Sequence, residues 1–330
     1  MEIAWAVAQF IAGFVFLVGG AELLIRGASR IALRLGIQPV VVGLTVVAFG
    51  TSAPELLVSV TANLSNSGGS DMALGNIVGS NIANLGLILG LCGSLYALSV
   101  NRHIVKIEYP LVIGVTIIFS AMLLVGGVLE RWEGGLLFAG LVAFLIWNIV
   151  TARKQYEMAH AAEENLEVAV TVDAKIARPS EQPWFDVLLV IMGLGGLVLG
   201  ADWLVTGART IALALGVSEM VIGLTLVAVG TSLPEAATSL VATFRGQGDL
   251  AIGNVVGSNL FNILGIAGLT ALIKPLTAPP GLWIDLVVML AFTVLVYALV
   301  WRAPHRVERW QGALLLILYV GYTISLFMRG

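Results

Sequence analysis

The sequence is poor in charged residues. They make up 11% of the 330 residues, and the mean hydropathy is +0.98. A soluble domain carries about 25% charged residues. The composition therefore excludes an ordinary soluble protein and predicts a polytopic membrane protein.

Cysteine and histidine are also scarce. Cys92 is the only cysteine and lies within an apolar stretch, so no internal disulfide can form. His103, His160 and His305 fall in separate loops, which argues against a histidine metal centre. The N-terminal apolar stretch lacks a basic region before it, and we expect a helix there rather than a cleaved signal.

Long apolar runs are abundant instead. Most of them reach the roughly 17 to 25 residues that a membrane-spanning helix needs. The second and seventh are longer and contain Pro54 and Pro234, which interrupt helical hydrogen bonding, so both are predicted to be broken helices. We therefore expect an all-α fold with ten transmembrane helices, at about 3–25, 37–64, 73–100, 107–129, 134–152, 184–206, 217–244, 250–273, 281–301 and 311–328.

The chain contains an internal repeat. Eleven of the fifteen residues in 41–55 are identical to those in 221–235, and these segments end in GTSAPE and GTSLPE. A second block, GNIVGSNIAN at 75–84, matches GNVVGSNLFN at 253–262 in seven of ten positions. Five spans in each half is an odd number, so the two halves must lie in the bilayer with opposite orientations. This predicts an inverted repeat with a site near the membrane midplane.

Positive charge predicts the orientation. Thirteen of the seventeen Lys and Arg residues fall in connections that share one side of the membrane, and such loops face the cytoplasm. Both termini are then expected outside. The acidic and polar segment 153–183 is predicted to be a cytoplasmic linker between the halves 1–152 and 184–330.

The repeated motifs place oxygen-bearing side chains inside apolar helices. An ionisable residue in a spanning segment costs about 2.5 to 3.5 kcal/mol on insertion scales and indicates a functional site. Oxygen donors suit hard cations such as calcium, whereas softer metals prefer Cys or His. The breaks are also expected to free backbone carbonyls near Ala48, Thr51, Ala228 and Thr231. The candidate side chains are Glu55, Glu235, Thr51, Ser52, Thr231, Ser232, Ser80, Ser258, Asn81, Asn84, Asn259 and Asn262.

Two nearby carboxylates repel each other at low dielectric, so the pair requires a divalent cation, several monovalent cations or protons. Competition among these ions gives a physical basis for exchange. The alternative for the hydroxyl and amide groups is hydrogen bonding between helices. A second acidic pair, Glu22 and Asp202, also lies 180 residues apart, and we expect helix-end or gate contacts for it rather than ion ligation.

The combination of GTSAPE and GTSLPE with GSNIAN and GSNLFN resembles the cation/calcium antiporter superfamily, specifically prokaryotic sodium/calcium exchangers. The resemblance covers nearly the whole chain, with signature repeats at 41–90 and 221–268. It implies that Glu55 and Glu235 bind calcium with the backbone carbonyls of Thr51 and Thr231. It further implies a sodium site on either side of the calcium site. One would use the Ala48 carbonyl, Ser52 and Ser80, and the other the Ala228 carbonyl, Ser232 and Ser258. Asn84 and Asn262 would line the middle.

Asn262 departs from one pattern in the superfamily, since some relatives, including potassium-dependent ones, carry aspartate there. Two carboxylates without a third make potassium transport less expected. The chain is thus predicted to be a sodium/calcium antiporter of a prokaryotic plasma membrane, with calcium and sodium as transported ions and the lipid bilayer around it. No resident cofactor, nucleic-acid partner or enzymatic activity is expected.

Two other transport functions use the same residues. In proton/calcium exchange, Glu55 and Glu235 would release protons as calcium binds. A cation channel would need neither a counter-ion nor two inverted halves. An intramembrane enzyme is a third class, but the sequence offers neither a Ser–His pair nor a water-activating metal site.

Overall fold

A computed structural model describes residues 2–35, 39–65, 69–163, 182–215, 230–301 and 305–329. These residues form helices joined by short connections, together with four strands of two residues each. The helices are α1 (Glu2–Leu35), α2 (Pro39–Val42, Gly43–Val47 and Ala48–Thr51), α3 (Ala53–Leu64), α4 (Gly69–Leu95), α5 (Ile104–Gly126), α6 (Arg131–Glu163), α7 (Pro183–Ala214), α8 (Leu233–Phe244), α9 (Gly248–Ile273), α10 (Leu282–Trp301) and α11 (Arg309–Arg329).

The helices confirm a membrane protein. Seven in the described part of the chain are long and apolar enough to cross a bilayer, and α2 with α3 supply an eighth if they count as one bent span. The angle between α2 and α3 is 48°, at the Pro54 motif where a break was predicted. The expected break at Pro234 is described only from Gly230 onward, and residues 216–229 lie outside the described ranges.

Several helices extend beyond their apolar stretches. We predicted that the first would end near residue 25, but α1 continues to Leu35. The extension carries Arg30 and Arg34, which bind the buried Asp186 carboxylate of α7 at 3.7 and 2.9 Å. These arginines therefore lie on a helix rather than in a loop. In the same way α6 continues to Glu163, so the start of the expected linker is helical.

Glycines bring α1 and α7 into backbone contact. A Cβ added at Gly20 would lie 2.6 Å from the Leu197 nitrogen, and one added at Gly207 would lie 2.6 Å from the Ala6 carbonyl oxygen. Such contacts leave no room for a side chain. Small residues let membrane helices approach closely, because association there depends on packing rather than on hydrophobicity.

The core is formed by α4 and α9. In the most apolar stretch of each helix, 78% of the residues are buried for α4 and 83% for α9, compared with 22% for α1. Both contain a short π-helical segment, Asn84–Ile88 in α4 and Phe261–Ala267 in α9. Such segments are frequent at functional sites. The two central helices therefore have irregular turns that contain the repeat counterparts Asn84 and Asn262.

Two antiparallel strand pairs join the halves. β1 (Leu98–Ser99) pairs with β4 (Arg306–Val307), with Leu98 opposite Val307. β2 (Val128–Leu129) pairs with β3 (Leu276–Thr277), with Val128 opposite Thr277. Each pair takes one strand from a connection of the first half and one from the second.

Candidate functional site

The two proline motifs fold into the same backbone turn. Ser52 has φ −84° and ψ 3°, and Ser232 has φ −88° and ψ 5°. Each serine precedes a helix that starts with Pro in its first turn, and neither hydroxyl caps that helix. Proline suits this position because the first helical N–H groups have no intrahelical partner. The serine hydroxyls are therefore left for other contacts.

The glutamates of the two motifs meet between the halves. Glu55 lies in the first turn of α3 and Glu235 in the first turn of α8, and each is 1% exposed. The Ser52 hydroxyl donates to Glu235 Oε1 at 3.0 Å. Ser232 lies beside the Glu55 carboxyl, and the two carboxyls also lie within interaction range of each other. Ser52 therefore contacts the glutamate of the opposite half, whereas the buried Ser232 hydroxyl lies near Glu55 without a hydrogen-bond partner among the described residues.

Several buried oxygens of this site have no hydrogen-bond partner among the described residues. Leaving such an oxygen unpaired costs about 1–3 kcal/mol, and more when it is charged. Oxygens are the ligands that calcium and other hard cations take. The donor chemistry thus fits a cation substrate. The unpartnered atoms include Glu55 Oε2, Glu235 Oε2, Asn84 Oδ1, Asn262 Oδ1 and the Ser258 hydroxyl.

The predicted groups on α4 and α9 are all buried. Ser80 and Ser258 are 4% and 0% exposed. Asn84 donates from Nδ2 to Asn259 Oδ1 at 3.1 Å, across the two halves. Asn81 instead donates to the Ile77 carbonyl of its own helix. Hydrogen bonding between helices therefore joins Asn84 and Asn259, and it leaves Asn84 Oδ1 without a partner among the described residues.

The residues whose backbone carbonyls were predicted as ligands differ in the hydrogen bonds they make. The Ala48 carbonyl accepts the Ser52 N–H at 3.0 Å, so the break does not leave it without a hydrogen bond. Thr51 is 1% exposed and its hydroxyl contacts the Ala48 carbonyl and Asn254 Oδ1, each at 3.4 Å. Thr231 contacts Asn76 Oδ1 at 3.3 Å. Ala228 lies outside the described residues.

Two residues at the site were missing from the predicted set. Asn76 of α4 donates to the Glu55 carbonyl at 3.2 Å, and Asn254 of α9 donates to the Glu235 carbonyl at 3.4 Å. Both stand at the same position of the repeated GNIV and GNVV blocks. That identity was a signal in the sequence. It was overlooked because these asparagines stand apart from the GSN segments.

The second acidic pair occupies two different environments. Glu22 of α1 forms ion pairs with Arg26 and with Arg245, which follows α8. Asp202 of α7 is exposed and lines a cavity of about 260 Å³ that also touches Thr231. The remaining lining residues are Pro54, Val198, Ala201, Val205, Gly230 and Pro234. Because α1 continues to Leu35 and α7 to Ala214, both residues lie within their helices and not at the helix ends where we expected them. Glu22 is held in ion pairs, whereas Asp202 lines a cavity next to both breaks.

The site contains few metal-binding side chains of other types. Within the described ranges, no three residues among His, Cys, Asp and Glu are grouped closely enough to hold a metal ion. The two glutamates are accompanied by neutral hydroxyl, amide and carbonyl oxygens. An apolar helical fold with such a site between two related halves defines an integral membrane transporter of ions.

The chain belongs to the sodium/calcium exchanger protein family. The sequence profile of that family matches residues 5–150 and 185–328, which together cover most of both halves. The chain is 32% identical to the sodium/calcium exchanger MaX1 of Methanosarcina acetivorans, over 96% of each chain. It is 34% identical to the inner membrane protein YrbG of Escherichia coli, over 94% of this chain and 93% of that one.

The fold is also that of a solved exchanger. A structure of the sodium-calcium exchanger NCX_Mj soaked with zero Na+ and Ca2+ matches with a TM-score of 0.81 and 31% identity. The match covers 98% of this chain and 99% of that chain. The resemblance drawn from the repeated motifs is therefore confirmed, and with it the prediction of a membrane antiporter.

Proposed function

We propose that this protein exchanges sodium for calcium across the membrane by alternating access, with Glu55 and Glu235 as shared cation ligands. The observation that carries this proposal is the pair of buried carboxyls that face each other between the halves, surrounded by unpartnered oxygens. The family membership and the similarity to MaX1 and NCX_Mj support the choice of ions.

The charge of the site links the two ions. Two ionised carboxylates in a dry site repel strongly, so the protein must bind compensating positive charge before it can occlude them. One calcium ion or two sodium ions neutralise the pair equally. If only the neutralised site can change its access from one side to the other, calcium and sodium must move in opposite directions.

We assign the ligands by their places around the two carboxyls. Calcium binds Glu55 and Glu235 with the backbone carbonyls of Thr51 and Thr231. Sodium ions on either side use the hydroxyls of the cross-half serines and of the buried serines on α4 and α9. The full sodium set is Ser52, Ser80 and the Ala48 carbonyl in one half, and Ser232, Ser258 and the Ala228 carbonyl in the other, with Asn84 and Asn262 between them.

The same proposal includes the topology. Ten spans form two inverted halves, with both termini outside and 153–183 on the cytoplasmic side. The described helices fall on all ten apolar stretches, with the seventh seen from Gly230 onward, which supports this arrangement. We place the protein in a prokaryotic plasma membrane, where inward sodium drives calcium outward. The similarity to the inner membrane protein YrbG is consistent with that location.

A flux experiment tests the coupling ion. The purified protein is reconstituted into vesicles loaded with calcium, and calcium release is followed in sodium, potassium and choline media, each with and without a pH gradient. Sodium-specific release that persists without the pH gradient is the expected result. Release that follows only the pH gradient would replace sodium by protons as the coupling ion. Release in choline at the same rate as in sodium would contradict antiport and indicate a channel.

A further inference from the structure

Asn76 and Asn254 occupy matching places on the two central helices, and neither belongs to the ligand set proposed above. Asn76 lies on α4 and is partly buried, and Asn254 lies on α9 and is 0% exposed. An asparagine side chain offers one acceptor oxygen and two N–H donors. The partners of these three groups differ in kind, and they come from both halves of the protein.

In the first half, Asn76 contacts three partners at once. Its Nδ2 donates to the Glu55 carbonyl at 3.2 Å and to the Ser59 hydroxyl at 2.9 Å. Its Oδ1 accepts from the Thr231 hydroxyl at 3.3 Å. Glu55 and Ser59 lie on α3 of the same half, whereas Thr231 lies at the break of the other half.

In the second half, Asn254 makes the same three contacts. Its Nδ2 donates to the Glu235 carbonyl at 3.4 Å and to the Ser239 hydroxyl at 3.0 Å. Its Oδ1 accepts from the Thr51 hydroxyl at 3.4 Å. The pattern is therefore repeated residue by residue, although the two asparagines are on different helices and 178 residues apart.

These contacts distinguish the two asparagines from the proposed ligands. Both amide protons and the carbonyl oxygen already have protein partners, in contrast to the Oδ1 atoms of Asn84 and Asn262. Neither side chain therefore offers the unpaired buried oxygen that Asn84 and Asn262 offer. The asparagines therefore act on the site only through the residues they hold.

We propose that Asn76 and Asn254 are positioning residues that make the place of each glutamate depend on both halves. Each asparagine holds the backbone of its own glutamate and at the same time the threonine at the opposite break, whose carbonyl is a proposed calcium ligand. This inference rests on the proposed function. Together the two asparagines set the spacing between the carboxylates and the threonine carbonyls.

Calcium binding to the full-length protein in detergent gives the first test. Residues that orient metal ligands typically cost 10- to 100-fold in metal affinity when they are removed. We expect Asn76→Ala and Asn254→Ala each to weaken calcium binding by about tenfold or more, measured by titration calorimetry. In exchange assays the same variants should raise the KM for calcium by a similar factor. Affinities within twofold of the wild type would overturn the proposal.

Asn148→Ala is the matched control. Asn148 is 3% exposed and donates to the Phe144 carbonyl of its own helix, and it contributes no hydrogen bond to the glutamates or threonines of the site among the described residues. It should leave the calcium affinity unchanged, while its effect on the melting temperature shows what the loss of a buried amide does by itself. If Asn148→Ala weakened calcium binding as much as Asn76→Ala, the effect would be general and the proposal would be wrong.

A double-mutant cycle tests the link between the halves. Thr231→Val removes the hydroxyl that donates a hydrogen bond to Asn76, but it keeps the backbone carbonyl and the shape of the side chain. We expect Thr231→Val to weaken calcium binding in the wild type and to have little further effect in Asn76→Ala. Independent, additive effects would contradict the contact between the halves.

The cycle can also be read without ions. Melting temperatures of the four proteins in ion-free buffer should show the same lack of additivity, because the hydrogen bond does not depend on transport. If the wild type neither bound calcium nor exchanged it, the proposed function would fail, and non-additive melting temperatures would still support the contact. Additive melting temperatures would reject the contact itself.

Discussion

The two halves of the protein agree at their centre and differ at their ends. Around the glutamates, the three contacts of Asn76 in the first half have counterparts in those of Asn254 in the second. Away from the centre, Glu22 is paired with two arginines, while its counterpart Asp202 lines an open cavity. The repeat therefore specifies the hydrogen bonds around the two glutamates, and residues outside the repeated motifs specify the surroundings of Glu22 and Asp202.

The difference at the ends follows from single positions. Arg26 and Arg245 neutralise Glu22, and the residues 180 positions away from them are Thr206 and Ser65. Neither threonine nor serine can neutralise a carboxylate. Glu22 is thus held by two arginines, whereas threonine and serine stand at the places that correspond to these arginines in the repeat.

The largest expected effect tests the equivalence of the centre. Glu55→Gln and Glu235→Gln each leave one carboxylate, which cannot neutralise a calcium ion, so each should abolish calcium exchange in a protein that still folds. Calcium flux in vesicles measures the loss, and size-exclusion chromatography checks the folding. Wild-type rates in either variant would contradict the shared site.

The second effect concerns the packing of α1 on α7. Gly20 and Gly200 are repeat counterparts, and an added Cβ at either would meet backbone atoms of the other helix. Gly20→Val and Gly200→Val should each destabilise the protein by about 1–3 kcal/mol, which is typical of overpacking. Thermal unfolding in detergent measures it. Gly19→Ala is the control, because nothing lies within 4 Å of a Cβ there, and it should unfold like the wild type.

A smaller effect is expected at the ion pairs of Glu22. Glu22→Gln removes the partner of Arg26 and Arg245, both of which are partly exposed. Surface ion pairs contribute up to about 1 kcal/mol, so the balance between closed and open forms should shift by up to about fivefold. The rate at which sodium is exchanged from each side of oriented vesicles reports this shift. Unchanged rates on both sides would show that the ion pairs do not control closure.

The smallest effect is expected at Asp202, which lines the cavity. Asp202→Asn removes one exposed negative charge near the cavity and should raise the KM for calcium about twofold at low ionic strength, with little change at high salt. An effect of Asp202→Asn that persists at high salt would indicate direct ligation instead.

The sequence predicted which side chains lie at the candidate site better than it predicted the contacts between them. Glu55 and Glu235 were predicted from duplicated motifs in apolar helices, and the structure brings their carboxyls together. That Ser52 contacts the glutamate of the other half could not be read from the chain, because the two residues are 183 positions apart and only packing brings them into contact. Helix lengths were also underestimated, because Arg30 and Arg34 extend α1 through contacts with Asp186 on another helix.

The paired strands constrain how the molecule can rearrange. β1 and β2 lie at the two ends of α5, β3 and β4 lie at the two ends of α10, and each strand pairs with one from the other half. α5 and α10 are thus joined to each other by a strand pair at both ends. A shift of α5 along α10 would break both ladders. A rearrangement that keeps both strand pairs must therefore carry α5 and α10 together and move other helices relative to them.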